Sequence, residues 1–308
     1  MLEISKSDFF ETGKDGVKKI LTPDDKKIDI IEFDDKTLCY VKSSMCYPAI
    51  YPMYETHFEA KAEAILMDLD GTSVHSENFW MWLIEQTTAR LLGDSGFKKE
   101  KEDEPFISGH SVSEHLQYMI DKYAKGESLE MARQYYFEIV SYEMNEIMKG
   151  RGKQDAFTPA PGLKEFLTTV KGEGIKIVLV TSGLFEKAMP EIISAFKQLD
   201  MGDPVEFYDA IITAGQALRK GQTGTMGELA PKPHPWLYAE TARVGLGIPF
   251  EKRHKVLGIE DSSAGVVSIK LSGFSCAGIS GGNIEQSGMS DLCDYKIDNL
   301  MQLLDVII

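Results

Sequence analysis

Short apolar segments alternate with amphipathic helical segments through the second half of the chain, and this alternation constrains the fold more than any other feature. An apolar run that is too short for a helix predicts a strand buried on both faces. Strands separated by helices pair in parallel through right-handed crossovers. The predicted strands are 64–70, 175–181, 207–213, 255–260, 274–279 and 294–297. We therefore expect an α/β fold, a Rossmann-like and largely parallel sheet with helices on both faces.

Two segments depart from this alternation. Residues 76 to about 152 show helical periodicity without a strand candidate, which predicts an α-helical domain inserted after the first strand. Residues 26–43 predict a β-hairpin that turns at 34–36, whereas two prolines discourage regular structure within 45–58. The predicted parts are an N-terminal extension with a β-hairpin (1–58), a core (59–80 and 155–308) and a helical insertion (81–154).

The composition narrows the classes of partner. A net charge of −15 disfavours nucleic acid, because binding to its phosphate backbone requires a basic surface. The sequence contains no apolar run of about 18 residues, so it predicts no membrane-spanning helix. Its first residues lack the apolar stretch of a secretory signal. The four cysteines show no CxxC spacing and are few for a disulfide scaffold. We expect a cytoplasmic protein with no nucleic-acid or membrane partner, and the sequence makes no prediction of its oligomeric state.

Polar residues stand at the carboxyl ends of four predicted strands, the edge at which open α/β sheets bind ligands. Each of them alone has an ordinary explanation, such as a solvated turn or a helix cap. Together, and in order, they predict one site for phosphate and a metal ion. They are Asp68 and Asp70, then Thr181, Ser182 and Gly183, then Thr213 with the loop to Lys232, then Glu260 and Asp261.

The chemistry of these groups is coherent. Asp68 and Asp261 come from different strands and are suited to share Mg²⁺, which prefers oxygen ligands and also takes substrate phosphate. Once metal and lysine neutralise the charge, a carboxylate can attack phosphorus and form an aspartyl-phosphate. Thr181, backbone N–H groups and Lys232 would hold the phosphoryl oxygens. Asp70, two residues from Asp68, would protonate the leaving oxygen and then activate water.

These residues resemble the four motifs of the haloacid dehalogenase superfamily of phosphotransferases, over roughly residues 62–300. The similar stretches are DLDGT (68–72), VTSG (180–183), KPHPWLY (232–238) and GIEDSSAG (258–265). The helical insertion resembles the cap of the β-phosphoglucomutase-like and phosphoglycolate phosphatase-like branch. The resemblance implies Asp68 as nucleophile and Asp70 as general acid/base, with the main-chain carbonyl of Asp70 on Mg²⁺. It also implies Asp261 as a metal ligand and Glu260 in the inner or outer shell of the metal.

The candidate site residues are accordingly of three kinds. They are Asp68 and Asp70 for catalysis, Thr181, Ser182, Gly183 and Lys232 for phosphate, and Asp68, Asp70, Glu260 and Asp261 for Mg²⁺.

Departures from the pattern narrow the activity. Dehalogenases lack the second aspartate, so Asp70 indicates phosphoryl chemistry. Aligning 107–116 with the cap motif of β-phosphoglucomutases places Val112 where those enzymes have an arginine, and Trp80 falls where they have a hinge histidine. His75 also replaces an aspartate. We expect a Mg²⁺-dependent phosphatase acting on a small phosphomonoester metabolite. A sugar phosphomutase or phosphotransferase, or a non-catalytic phosphometabolite-binding protein, is the alternative.

Specificity is expected in the helical insertion and in the loop 214–232. In that loop Arg219 and Lys220 are candidates for the anionic end of a substrate, although a mobile solvated loop is the favoured interpretation. His234 is a weaker candidate beside Lys232. The candidates for a substrate-facing wall are Trp80, Trp82, His110, His115 and Tyr118. Packing within the cap is the favoured explanation for these residues. Cap closure would place hinges near 75–83 and 153–161.

Overall fold

The structure is a computed structural model of the chain. It describes residues 1–24, 26–42, 47–103, 112–153, 155–213, 216–219, 222–224 and 229–308. At residue 114 and in 216–219 and 222–224 it describes the backbone alone.

An antiparallel five-stranded sheet forms from the N-terminal extension. Its strands, in order across the sheet, are β1 (Leu2–Ile4), β2 (Lys19–Thr22), β3 (Ile28–Glu32), β4 (Thr37–Val41) and β5 (Ala49–Met53). The predicted hairpin is β3–β4. The prediction that prolines prevent regular structure after this hairpin is wrong, because β5 contains Pro52. An edge strand tolerates proline because one side of it has no partner strand.

The main sheet has eight strands among the described residues, in the order β12-β11-β10-β9-β6-β13-β14-β15. The strands that follow the N-terminal sheet are β6 (Ala64–Met67), β7 (Val74–His75), β8 (Thr158–Pro159), β9 (Lys176–Val180), β10 (Ala210–Thr213), β11 (Gln216–Arg219), β12 (Gln222–Gly224), β13 (Val256–Glu260), β14 (Ser275–Ile279) and β15 (Tyr295–Ile297). The six strands predicted from the alternation pair in parallel, as expected. The backbone of β11 and β12 corrects the interpretation of 214–232 as a loop, because β11 pairs antiparallel with β10 and β12 pairs antiparallel with β11.

Helices cover both faces of this sheet, and three more form the inserted block. The described helices are α1 (Glu77–Leu92), α2 (Val112–Tyr123), α3 (Leu129–Met148), α4 (Leu163–Gly172), α5 (Phe185–Leu199), α6 (Pro204–Phe207), α7 (Trp236–Glu240), α8 (Ser263–Leu271) and α9 (Leu304–Ile307). Successive side chains of β6 point to opposite faces, as pleating requires. Ile65 and Met67 join the core beneath α4 and α5, whereas Ala64 and Leu66 join the core beneath α8 and the N-terminal sheet. The predicted Rossmann-like α/β fold is therefore confirmed.

The predicted helical block consists of α1, α2 and α3, which pack on one another. The chain enters and leaves it through β7 and β8, which pair antiparallel with Val74 opposite Pro159 and His75 opposite Thr158. Within the described chain, no helix is both long and apolar enough to cross a membrane.

Candidate active site

Three carboxylates meet at the carboxyl ends of β6 and β13. Asp68 directly follows β6, and its N–H donates to the carbonyl of Ile259 at 3.0 Å, which continues the pairing with β13 by one residue. Glu260 is the last residue of β13 and Asp261 comes next. One carboxylate oxygen from each of Asp68, Glu260 and Asp261 lies within 4.8 Å of the other two. The parallel pairing of the strands thus brings together the side chains that the sequence predicted at one edge.

Lys232 lies at the centre of this cluster and is almost fully buried. Its Nζ contacts the Asp68 carboxylate, donates to Glu260 Oε1 at 2.5 Å and donates to the carbonyl of Val180 at 3.1 Å. These contacts connect the ends of β6, β13 and β9. The buried Tyr238 hydroxyl donates to Glu260 Oε1 at 2.8 Å, and the Ser262 hydroxyl donates to Glu260 Oε2 at 2.9 Å.

The electrostatics of the cluster favour an additional cation. Burial, reinforced by the charge of Glu260, raises the pKa of Asp68 well above its ordinary value. Burial and Glu260 also raise the pKa of Asp261 to about 7. Burial would lower the pKa of Lys232, but Asp68 and Glu260 raise it, so the ammonium stays charged. Three carboxylates share one ammonium here, and the remaining negative charge suits a divalent ion.

The packing around Asp261 supports the same ligand. A Cβ at Gly71, whose φ is 82°, would lie 2.0 Å from Asp261 Oδ2, and a Cβ at Gly282 would lie 2.1 Å from the Asp261 carbonyl oxygen. Only glycine therefore lets the chain approach this aspartate so closely. The carboxylate oxygens form the hard donor set that Mg²⁺ prefers, and the residues present fit that ion.

Asp70 belongs to a second group of side chains. Its carboxylate accepts hydrogen bonds from Ser76 Oγ at 2.6 Å and from Lys187 Nζ at 2.9 Å. Burial would raise the pKa of Asp70, but Lys187 and Ser76 together lower it below its ordinary value. The side chain of Asp70 is not among the carboxylates clustered with Asp68, so a role as metal ligand would fall to its main-chain carbonyl.

The sequence analysis missed Lys187 and Glu191, which lie one turn apart on α5. Glu191 is fully buried, with Oε1 3.7 Å from Lys187 Nζ. Burial and the charge of Asp70 raise the pKa of Glu191 well above its ordinary value. The only signal in the sequence was the Lys–Glu spacing of four residues after the VTSG stretch, and such a pair usually lies on a solvated helix face.

The predicted phosphate-binding residues follow β9. Thr181 is buried, and its Oγ1 accepts a hydrogen bond from the Gly183 N–H at 2.9 Å. The Oγ of Ser182 accepts from the Lys232 N–H at 3.1 Å. The structure therefore links the segment 181–183 to the loop that carries Lys232.

A cleft of about 1500 Å³ opens above these groups, between the sheet edge and the helical block. Asp70, Gly71 and Asp261 form its base, and Trp80 and His115 lie in its wall. The other candidates for the wall are placed elsewhere or lie outside the described residues. Trp82 stacks on Phe79, Tyr118 donates to the buried Asp103 at 2.8 Å, and His110 is outside the described residues.

The remaining specificity candidates do not add to the described cleft. Only the backbone of Arg219 is described, in β11, and Lys220 lies outside the described residues. His234 is fully buried beneath the N-terminal sheet. Its Nδ1 lies 2.8 Å from the Tyr51 hydroxyl, and its ring stacks on Tyr47 at 4.3 Å between centroids. His234 is thus a contact between the N-terminal sheet and the loop of Lys232.

Comparison with protein families decides the family. The model of the haloacid dehalogenase-like hydrolases matches residues 62–273, which is more than half of the chain. The chain belongs to this family. The predicted superfamily is therefore confirmed, and with it the prediction that this protein is an enzyme, a hydrolase. No curated protein sequence matches the chain significantly.

Solved structures of this family share the fold. CbbY from Rhodobacter sphaeroides, in complex with phosphate, is 20% identical with a TM-score of 0.52, and the match covers 79% of this chain and 96% of that one. A predicted phosphoglycolate phosphatase from Haemophilus somnus 129pt is 17% identical with a TM-score of 0.56, covering 80% and 98%. A family IA hydrolase from Entamoeba histolytica is 17% identical with a TM-score of 0.54, covering 80% and 96%. The match includes about four fifths of this chain in each case.

Proposed function

We propose that this hydrolase is a Mg²⁺-dependent phosphatase that cleaves a small phosphomonoester through an aspartyl-phosphate on Asp68. The observation that carries the proposal is the buried contact of Lys232 with Asp68, next to Glu260 and Asp261. In this cluster, Lys232 and a bound metal ion would neutralise both the Asp68 carboxylate and an approaching phosphate dianion.

The metal would be held by Asp68, Asp261 and the main-chain carbonyl of Asp70, with Glu260 beside it. When bound, Mg²⁺ would supply charge neutralisation for the phosphoryl oxygens and the nucleophile. The support for this assignment is the oxygen donor set and the surplus of negative charge described above.

In the first step, a carboxylate oxygen of Asp68 attacks phosphorus, and the bond from phosphorus to the ester oxygen breaks. Asp70, which takes up a proton as the phosphate dianion binds beside it, donates this proton to the departing oxygen, which leaves as an alcohol. In the second step, Asp70 accepts a proton from a water molecule, and that water attacks the aspartyl-phosphate to release inorganic phosphate and restore Asp68. Thr181, Ser182, Gly183 and Lys232 hold the phosphoryl oxygens during both steps.

The helical block 81–154 would act as a cap over this centre, with hinges at the predicted segments 75–83 and 153–161. The support is the position of the cleft, which is bounded by the sheet edge on one side and by α1 and α3 on the other. Closure of such a cap excludes bulk water that would otherwise screen the charges around the phosphoryl group.

The alternative activities receive less support. A phosphomutase passes through a sugar bisphosphate intermediate, so its cap must hold a second phosphate. Here Val112 lines the cleft at the position of the mutase arginine. A protein that only binds phosphometabolites would not need Asp70 held beside Lys187.

The test is phosphate release from p-nitrophenyl phosphate with Mg²⁺ or with EDTA. Asp68→Asn keeps the shape of the side chain and should lower kcat by at least about 10³-fold, because the nucleophile is lost. Acid-quenched wild-type enzyme should carry phosphate on Asp68 in peptide mass spectra. Asp291→Asn, a change at an exposed aspartate, is the matched control and should behave as wild type. Full activity of Asp68→Asn, or equal activity in EDTA, would refute the proposal.

A further inference from the structure

We propose that the alcohol half of the substrate is a ring-sized apolar group without a second negative charge, and that it binds along α3. This inference rests on the proposed function and specifies its substrate class. It follows from the character of the cleft wall that faces the catalytic groups.

The cleft wall contains an apolar stripe on α3. Phe137, Val140, Met144 and Met148 recur every three or four residues, which places them on one face of the helix. All four line the cleft. The side chains of Phe137 and Met148 are 52% and 48% exposed, although both are large and apolar. Val140 and Met144 also pack in the core, whereas the exposed surface of Phe137 and Met148 indicates a ligand that covers it.

Helix α1 continues the apolar wall next to the catalytic groups. Trp80, Met81 and Ile84 line the same cleft, and Trp80 lies with its ring 4.9 Å from Lys187 Nζ. Lys187 in turn donates to Asp70. The apolar wall is therefore continuous with the group that would protonate the leaving alcohol, so an alcohol leaving from the base of the cleft meets this surface.

The charges in the cleft argue against a second anionic group on the substrate. Among the described residues that line it, Lys187 is the only lysine or arginine, whereas Glu77 and Glu186 line it together with Asp70 and Asp261. Lys187 is already paired with Asp70 at 2.9 Å. A carboxylate or second phosphate on the alcohol half would meet Glu77 and Glu186, and the described lining offers it no lysine or arginine besides the paired Lys187.

The dimensions permit a ring. The stripe from Phe137 to Met148 extends for about 16 Å along α3 at about 1.5 Å per residue. The cleft of about 1500 Å³ exceeds the ordinary range of about 300–1,000 Å³ for small-molecule sites. A three-carbon or smaller polar alcohol would leave most of this surface uncovered.

Three phosphate esters of primary alcohols test the proposal, because they differ only in the far end of the alcohol. They are propyl phosphate, 3-phenylpropyl phosphate and 2-carboxyethyl phosphate. We expect kcat/KM for the phenyl ester to exceed that for propyl phosphate by about tenfold or more, since a phenyl ring leaves water on binding. We expect the carboxylate ester to be the poorest of the three. Equal kcat/KM for all three, or preference for the carboxylate, would overturn the proposal.

A matched pair of variants on α3 tests the location. Phe137→Asp places a charge on the wall and should lower the ratio of kcat/KM between the phenyl and propyl esters by about tenfold. Tyr142→Asp changes an aromatic residue that is 63% exposed on the same helix but does not line this cleft, and it should leave the ratio unchanged. Phe137→Lys should raise the relative kcat/KM for the carboxylate ester. A ratio that Phe137→Asp and Tyr142→Asp alter equally would overturn the assignment to α3.

The outcomes separate this inference from the proposed function. Hydrolysis of all three esters without a preference for the ring overturns the inference alone. Absence of Mg²⁺-dependent hydrolysis for every ester overturns the proposed function, and the substrate class with it.

Discussion

Binding of Mg²⁺ should stabilise this protein much more at about pH 8 than at about pH 5, because Asp261 titrates between these values. Its pKa is about 7 in the folded chain against 3.8 for an exposed aspartate. At about 1.36 kcal/mol per pKa unit, this difference corresponds to at most about 4 kcal/mol of unfolding free energy.

The direction of the pH effect on stability depends on whether the folded or the unfolded chain holds the proton. Below about pH 4, Asp261 is protonated in both the folded and the unfolded chain, and its contribution to the free energy of unfolding is at its largest. As the pH rises towards 7, the unfolded chain releases its proton while the folded chain keeps it, so the free energy of unfolding falls. Above about pH 7 the folded chain carries the charge that burial and Glu260 disfavour. Mg²⁺ binds the deprotonated carboxylate and should therefore restore stability on the alkaline side only.

Urea unfolding followed by tryptophan fluorescence, with EDTA or with Mg²⁺, measures this difference. At a Mg²⁺ concentration of about 100 times Kd the gain at pH 8 should be about 2.7 kcal/mol, with a much smaller gain at pH 5. Asp261→Asn removes the titration and should abolish both the gain and its pH dependence. The control Asp291→Asn changes an aspartate whose side chain is 87% exposed and should retain both. A gain that is equal at the two pH values, or larger at pH 5, would refute the assignment to Asp261.

Three further variants test contacts of the site. Lys187→Met removes the ammonium 2.9 Å from Asp70, so the limb of the pH profile of kcat/KM that reports Asp70 should move to higher pH. Lys187→Arg keeps a cation there and should leave the limb in place. An unmoved limb in the methionine variant would contradict the contact. Tyr51→Phe removes the hydroxyl 2.8 Å from His234 and should lower the free energy of unfolding, measured in urea, by about 1 kcal/mol. Tyr54→Phe, whose ring packs on Phe250, is the control and should show no comparable loss. Gly282→Ala introduces a Cβ 2.1 Å from the Asp261 carbonyl oxygen and should abolish stabilisation by Mg²⁺ in thermal unfolding. Gly172→Ala, at a glycine with open space around it, is the control. Normal Mg²⁺ binding by Gly282→Ala would show that the backbone shifts instead.

The parallel strands and the residues at their ends could be predicted from the sequence for one physical reason. A strand buried on both faces is a short apolar run, and the carboxyl ends of parallel strands must meet at one edge. The positions of Asp68, Thr181, Lys232 and Asp261 in the sequence therefore already implied a shared site.

Other parts depended on contacts that no local pattern records. A lysine and a glutamate four residues apart on an amphipathic helix ordinarily form a solvated pair, and only the packing of α5 against the centre buries Glu191 beside Lys187. The edge strands β5 and β12 were missed because an edge strand is selected by its neighbour as much as by its own composition. Pro52 made β5 look irregular, although the free side of an edge strand accepts proline.

The β7–β8 pair has a consequence for the history and engineering of this enzyme. Val74 faces Pro159 and the Ala160 N–H donates to the Ser73 carbonyl at 3.0 Å, so the segment enters and leaves the core side by side. A segment with adjacent ends can be lengthened or exchanged with little displacement of β6, provided that its contacts with the core, such as those of Phe79 and Phe157, are kept. On the proposed function, the nucleophile in the sheet and the alcohol-binding surface on the inserted helices would then be able to evolve separately.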